Sequence, residues 1–219
     1  MRTKKLVTTS MLLALAVILS VMKLFELPFG GTITPASMMP VVLAAYLYGT
    51  RWGLFSAFVY SVLQLVTGMG TVSVFFLPGD SRMALHAAIL VCLCDYIIAF
   101  TLLGFAGVFK NKLKNHLLSL VLGTVLVCML RYLVHVISGA VFFGAWAEWF
   151  FSDSTGLSQI SLLRGFCKWV MSNVSGKSLC VLYSVIYNGS FMIPETVITA
   201  ITVPVVYKVI RNSDSGKVN

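Results

Sequence analysis

The sequence predicts an all-α integral membrane protein: one domain over residues 1–219, folded as a bundle of six transmembrane helices with both termini on the cytoplasmic side. Three observations carry this. First, the chain is 58% hydrophobic and 11% charged, where a soluble domain has about 25% charged residues; its mean hydropathy is +0.94. Second, its apolar runs are separated by short turn-forming or basic segments. Third, the basic residues sort by side. Arg2, Lys4, Lys5, Arg51, Lys110, Lys112, Lys114, Lys208, Arg211 and Lys217 fall on one side of the predicted spans, and Arg82, Arg164, Lys168 and Lys177 on the other. The richer side is the cytoplasm, because basic residues near span ends are retained there. The net charge of +9 therefore reflects topology. No basic surface interleaved with aromatics points to nucleic acid.

The elements follow in order. The first span is Leu6–Phe25, a retained helix rather than a cleaved signal peptide, since no small-residue cleavage site follows it. Residues 26–37, ELPFGGTITPAS, hold two prolines and two glycines and form a loop or re-entrant turn. The second span, Met38–Tyr48, is short for a full crossing. GTRWG at 49–53 is a tight turn with Arg51 at its tip. The third span is Leu54–Phe76, with Gly68 and Gly70 as distortions, and LPGDSR is the next turn. The fourth span, Met83–Phe109, carries Asp95 near its middle. KNKLKNH is a basic loop, and Leu117–Ala145 is the fifth span. Residues 146–178 form an extended extracellular connection, within which Leu162–Val170 has the pattern of an amphipathic surface helix. The sixth span, Leu179–Ile210, includes Pro194 and Pro204, which kink helices. The cysteines within apolar runs read as small core residues rather than as a disulfide framework.

The polar residues at membrane depth are the informative ones. In LRYLVHVISGAVFF, Arg131 and His135 lie four apart and share a helix face continued by Ser138 and Phe142. A charge there is costly unless it is paired or reaches a cavity. At about 1.5 Å per residue, Asp95 lies ~18 Å below the outer end of the fourth span, and Arg131 and His135 lie ~21 Å and ~15 Å below the outer end of the fifth. The three meet at one level, with Arg131 expected to hold the Asp95 carboxylate. On the sixth span Tyr183, Asn188 and Glu195 follow at increasing depth, giving a half-funnel that opens outward. Carboxylate, imidazole, amide, phenols and the aromatic faces of Phe142, Phe143 and Trp146 suit a small, flat, cationic heteroaromatic ligand. No Walker A, GxSxG or HExxH motif is present.

Five stretches carry a family resemblance: PFGGTITPASMMP, GTRWGLFSAFVYSVLQ, CDYIIAFTLLGFAG, LRYLVHVISGAVFF and LYSVIYNGSFMIPE. In this order they resemble the thiamine-specific substrate-binding subunits (S-components) of energy-coupling-factor (ECF) transporters. The resemblance implies a multi-pass protein of the bacterial cell membrane that captures thiamine from outside. By it, Asp95 with Tyr96, Arg131 and His135, and Tyr183 with Asn188 bind the ligand, and the loop after the first span is a lid. Where the family often has a stacking tryptophan after the fifth helix, this chain has Phe143, and Trp146 three residues on is the other candidate. Glu195 joins this set by its depth on the sixth span and not by the resemblance. The resemblance also implies docking on a shared transmembrane scaffold driven by two ABC-type ATPases, with Ser10 and Ala14 on the docking stripe of the first helix and delivery by toppling of the whole subunit. It implies no catalytic residue, metal or cofactor.

Two alternatives stay open on the residues alone. One is an S-component for another vitamin or for a thiamine precursor. The other is an intramembrane hydrolase using Ser138, His135 and Asp95, for which a triad's geometry would be the criterion.

Overall fold

Four helices are long and apolar enough to cross a membrane in the computed structural model, which describes residues 2–27, 30–79, 82–152 and 156–215. They correspond to the first, fourth, fifth and sixth expected spans. Helix α1 is Arg2–Val21. A continuous rod then covers Leu85–Gly107, built from α5 (Leu85–Cys92), a π-helical turn (Leu93–Ile98), α6 (Ala99–Thr101) and a 3-10 end (Leu102–Gly107). Helix α7 is His116–Phe142, capped at its start by Asn115, whose side chain accepts from the Leu117 and Leu118 amides. Helix α10 is Gly176–Ser215 and runs through Pro194 and Pro204 without a break.

The second and third expected spans are shorter. Helix α2 is Met39–Tyr48, ten residues, or about 15 Å at the α-helical rise. Met39 to Tyr46 are all buried, because α2 packs against α1, α3, α10 and the 3-10 end of the rod together. An apolar pattern all round a helix is what burial on every side demands, so the unbroken run MPVVLAAY marks the centre of the bundle. Helix α3 (Thr50–Thr67) starts four residues earlier than expected. Gly49 alone, at φ 86°, makes the turn, so Arg51 and Trp52 already lie in the first helical turn. At its other end α3 stops at Gly68, and a short helix α4 (Met69–Ser73) follows. The expected single span to Phe76 is thus broken at one of the two glycines that mark it.

The basic ends gather in space. Lys5 Nζ sits 4.2 Å from the centre of the Trp52 ring, Lys110 Nζ donates to Leu47 O at 2.7 Å, and Tyr46 donates to His116 O at 2.8 Å. At the opposite end, the residues expected as an extended connection are structured. Helices α8 (Ala147–Phe151) and α9 (Arg164–Asn173) form there, and Phe151, Cys167 and Val170 pack with Leu179 and Tyr183 of α10. The segment after α1 forms a small antiparallel hairpin, β1 (Phe25–Glu26) with β2 (Thr32–Ile33).

Glycines set the close helix approaches. A Cβ on Gly53 would sit 2.6 Å from both Ala45 Cβ and Gly104 O, and one on Gly123 would collide with Ala106 O. Gly123→Ala is expected to lower stability by about 1–3 kcal/mol through overpacking. Gly165→Ala, a helical position with open space around it, is expected to be neutral or to stabilise by up to ~1 kcal/mol through helix propensity. Melting of both variants in detergent checks the contrast.

Candidate functional site

The rod departs from α-helical geometry where it carries its polar residues. Asp95 and Tyr96 lie within the π turn Leu93–Ile98. A π turn adds a residue to the local repeat and re-aims the side chains it holds, and such turns are frequent at functional sites. Opposite it, the break at Gly68 leaves room for Tyr96, whose ring carbon Cε1 would meet a Cβ there at 2.8 Å. Gly139 plays the same part on α7. A Cβ at Gly139 would collide with Ser184 Oγ and lie 3.0 Å from Asn188 Nδ2, so glycine lets α10 close on α7.

These elements enclose a cavity of about 490 Å³, within the range of small-molecule sites. Its floor is Asp95, Arg131 and His135; its aromatic walls include Tyr96, Phe100, Phe143, Tyr183, Tyr187 and Phe191; Asn188 joins from α10, and Gln64 and Thr67 from α3. Gly30, Gly31 and Thr32, with Glu26, close one side.

The floor is a directed chain of hydrogen bonds. Arg131 Nε donates to His135 Nε2 at 3.2 Å. That nitrogen is therefore an acceptor, and His135 Nδ1 carries the proton and donates to Asp95 Oδ1 at 2.9 Å. Ser138 Oγ donates to the other carboxylate oxygen, Oδ2, at 2.8 Å. Each Asp95 oxygen thus has one donor, and a carboxylate has about four acceptor sites in all, so acceptor capacity remains on the cavity side. Arg131 is further held by Phe100, whose ring centre is 4.1 Å from the guanidinium carbon, and by Met38 Sδ at 2.9 Å. Arg131 and His135 are both over nine-tenths buried. Asn188 Nδ2 is committed to Ser184 O at 2.9 Å and His135 O at 3.2 Å.

The segment after α1 is latched from below. Glu195 Oε1 accepts from the Thr34 amide and from Thr34 Oγ1, the latter at 2.7 Å. Thr34 Oγ1 also shares a 2.8 Å hydrogen bond with Ser37 Oγ. Higher up, the Gly31 amide donates to Tyr187 Oη at 3.3 Å.

The structure brings Asp95, Tyr96, Arg131, His135, Phe143, Tyr183 and Asn188 into one cavity wall. It does not place Glu195 or Trp146 there. Glu195 is buried beneath the segment after α1, because it lies about two α-helical turns further along α10 than Asn188. The Trp146 ring meets Trp149 at 6.2 Å, because α7 ends at Phe142 and the chain turns aside through Gly144–Trp146. Arg131 contacts His135 rather than Asp95, since the imidazole four residues on intercepts it. Ser138 donates to Asp95, not to His135, so no nucleophile–base pair forms and the hydrolase alternative falls. Sequence reasoning did not single out Tyr187, Phe191, Gln64 or the latch residue Thr34. Tyr183, Tyr187 and Phe191 recur every four residues on one face of α10, which is the available signal for two of these.

Glu195→Ala is expected to free the segment around Thr34, stripping protection from the Thr34 amide in hydrogen exchange and lowering stability by about 1–3 kcal/mol for the donors it orphans. Glu195→Gln, which keeps an acceptor oxygen, is expected to lose less.

Comparison with known proteins agrees with this picture. Residues 6–152 match the family model described as thiamine transporter protein (Thia_YuaJ). The chain is 27% identical over 208 residues to the thiamine transporter ThiT of Bacillus subtilis strain 168, covering 90% of this chain and 86% of that protein. Its fold is similar to a solved structure of ThiT from Listeria monocytogenes, with a TM-score of 0.63 at 20% identity over 95% of each chain. It is also similar to a solved structure of the S component of a bacterial ECF transporter, with a TM-score of 0.50 at 19% identity over 97% of this chain and 98% of that one. The matched region spans most of the chain, and with four apolar helices of crossing length this multi-pass bacterial membrane protein belongs to the thiamine transporter family.

Proposed function

We propose that the chain is a thiamine-binding S-component of an ECF-type vitamin transporter, a binding subunit and not an enzyme. The observation that carries the reading is the Asp95 carboxylate, fixed by His135 and Ser138 on the floor of an aromatic cavity. Thiamine carries a permanent positive charge on its thiazolium ring and a hydrogen-bonding aminopyrimidine edge. A carboxylate in a low-dielectric site suits either, and aromatic faces attract the cation. In this reading Asp95 meets the ligand's charge or its amine. Tyr96, Phe143 and Tyr183 frame its rings, with Phe143 as the stacking residue rather than Trp146. Asn188, its amide nitrogen already engaged, offers its carbonyl oxygen. Arg131 and Glu195 act at one remove, through His135 and through the lid.

The topology belongs to the same proposal. Six membrane segments, α1, α2, α3, the rod, α7 and α10, place both termini in the cytoplasm, with α2 completing its crossing through the buried residues just before it. The gathering of Lys5 and Lys110 at one end of the bundle supports that side as the cytoplasmic one. The cavity then opens outward beneath the hairpin lid. The scaffold subunit and its two ATPases are the partners, and Ser10 and Ala14 form the docking stripe. Both are exposed on α1, one turn apart, which permits close approach of another helix.

Two measurements check this. Isothermal titration of the purified chain is expected to give one-to-one heat with thiamine and none with riboflavin or biotin; heat with another vitamin alone would reassign the ligand. Ser10→Trp and Ala14→Trp are expected to abolish thiamine uptake in cells while leaving binding by the isolated chain within a factor of about two, a difference under ~0.5 kcal/mol. Loss of binding as well would make the stripe internal packing.

A further inference from the structure

Helix α9 presents a surface that the cavity does not use. Its inward face holds Cys167 and Val170, both buried. Beside that face, Phe166 and Trp169 lie three apart on α9 and so share one side of it, 39% and 56% exposed, and Leu162, in the 3-10 turn Ser161–Leu163 that leads into the helix, is 89% exposed. Arg164 and Lys168 lie exposed along the next face, and Lys177 follows at the start of α10. Arg164 Nε also reaches Ser158 O at 3.5 Å, which ties the helix to the preceding turn. Residues 156–194 contain no aspartate or glutamate. The region lies beyond the family match, which stops at residue 152.

We infer that α9 lies on the outer leaflet as an interfacial anchor. Leu162, Phe166 and Trp169 enter the headgroup–acyl boundary, and Arg164, Lys168 and Lys177 meet the phosphates of anionic phospholipids. Three observations choose lipid as the occupant. Only Val174 and Ser175 separate α9 from α10, so the helix end is tethered within about 10 Å of a membrane helix by the reach of an extended chain. An exposed apolar stripe flanked by basic residues, with tryptophan in it, is the pattern of a helix lying in the interface plane. Lysine is depleted at protein–protein interfaces, whereas here two of the three cations are lysines, and anionic lipid surfaces attract such clusters. The inference rests on the outward placement of this connection and not on the ligand.

The test uses the full chain in nanodiscs of phosphatidylcholine and phosphatidylglycerol, with one or the other lipid brominated. Trp169 emission is taken as the difference between the parent and Trp169→Phe. It is expected to be quenched by either brominated lipid, and more strongly by brominated phosphatidylglycerol. An Arg164→Gln, Lys168→Gln double variant is expected to lose that excess and keep the rest. Trp169 emission that ignores brominated lipid but falls with aqueous acrylamide would overturn the anchor. So would emission blind to both quenchers, which would mean that protein covers the stripe. Equal quenching by the two lipids in the parent would overturn the anionic-phosphate part. Thiamine is absent throughout, so failure here leaves the ligand assignment untouched.

Discussion

An arginine buried in a membrane bundle is the constraint on which the rest of this structure depends. Arg131 cannot be left without partners where water is excluded. The protein answers with an aromatic face, a thioether and an imidazole, and only through the imidazole with a carboxylate. The direction of the hydrogen bonds follows from that choice. Because arginine can only donate, His135 must accept at Nε2, and its remaining proton must point at Asp95. A serine one turn on completes the carboxylate. Arg131 thereby orders Asp95 without neutralising it by direct contact, and the carboxylate keeps an open side toward the cavity.

The backbone serves this arrangement at several points. The π turn carries Asp95 to α7 and Tyr96 to the space beside Gly68, and Gly139 lets α10 approach until Asn188 can bond the His135 carbonyl. The segment after α1 is held by α10, the same helix that supplies Tyr183 and Asn188, through Glu195 and Tyr187. The groups that hold this segment and groups that line the cavity therefore sit on one helix. Contiguity of this kind gives the two sites a physical route for coupling.

Much of the site was legible in the sequence because polar residues are rare at membrane depth and conspicuous when they occur. Asp95, His135 and Asn188 could be placed at a common level by counting residues along helices. The roles within the set were less legible. The spacing of Arg131 and His135 gave their shared face but not that the imidazole would stand between guanidinium and carboxylate. The π turn has no composition of its own; it is a register adjustment settled by the packing of three helices. Trp146 was a stacking candidate because it lies three residues after Phe143, yet α7 ends at Phe142 and past that end the helical count no longer applies. Glu195 was placed near mid-membrane by counting along its helix, but its partner Thr34 lies 161 positions away, a contact no local pattern reveals. The short α2 was marked by length, and its central position by an apolar pattern without a polar face.

The central claim is that Asp95 is the charge partner of a cationic ligand, rather than one end of a purely structural chain. The dissociation constant of thiamine for Asp95→Asn, measured on protein shown by its melting curve to be folded, tests it most directly. The substitution keeps size and most hydrogen bonding while removing the charge. The account predicts binding weakened by about 2 kcal/mol or more, the scale of a lost charged hydrogen bond at a buried site, or roughly thirtyfold, with Asp95→Glu milder. A folded Asp95→Asn protein that binds thiamine as tightly as the parent would contradict it.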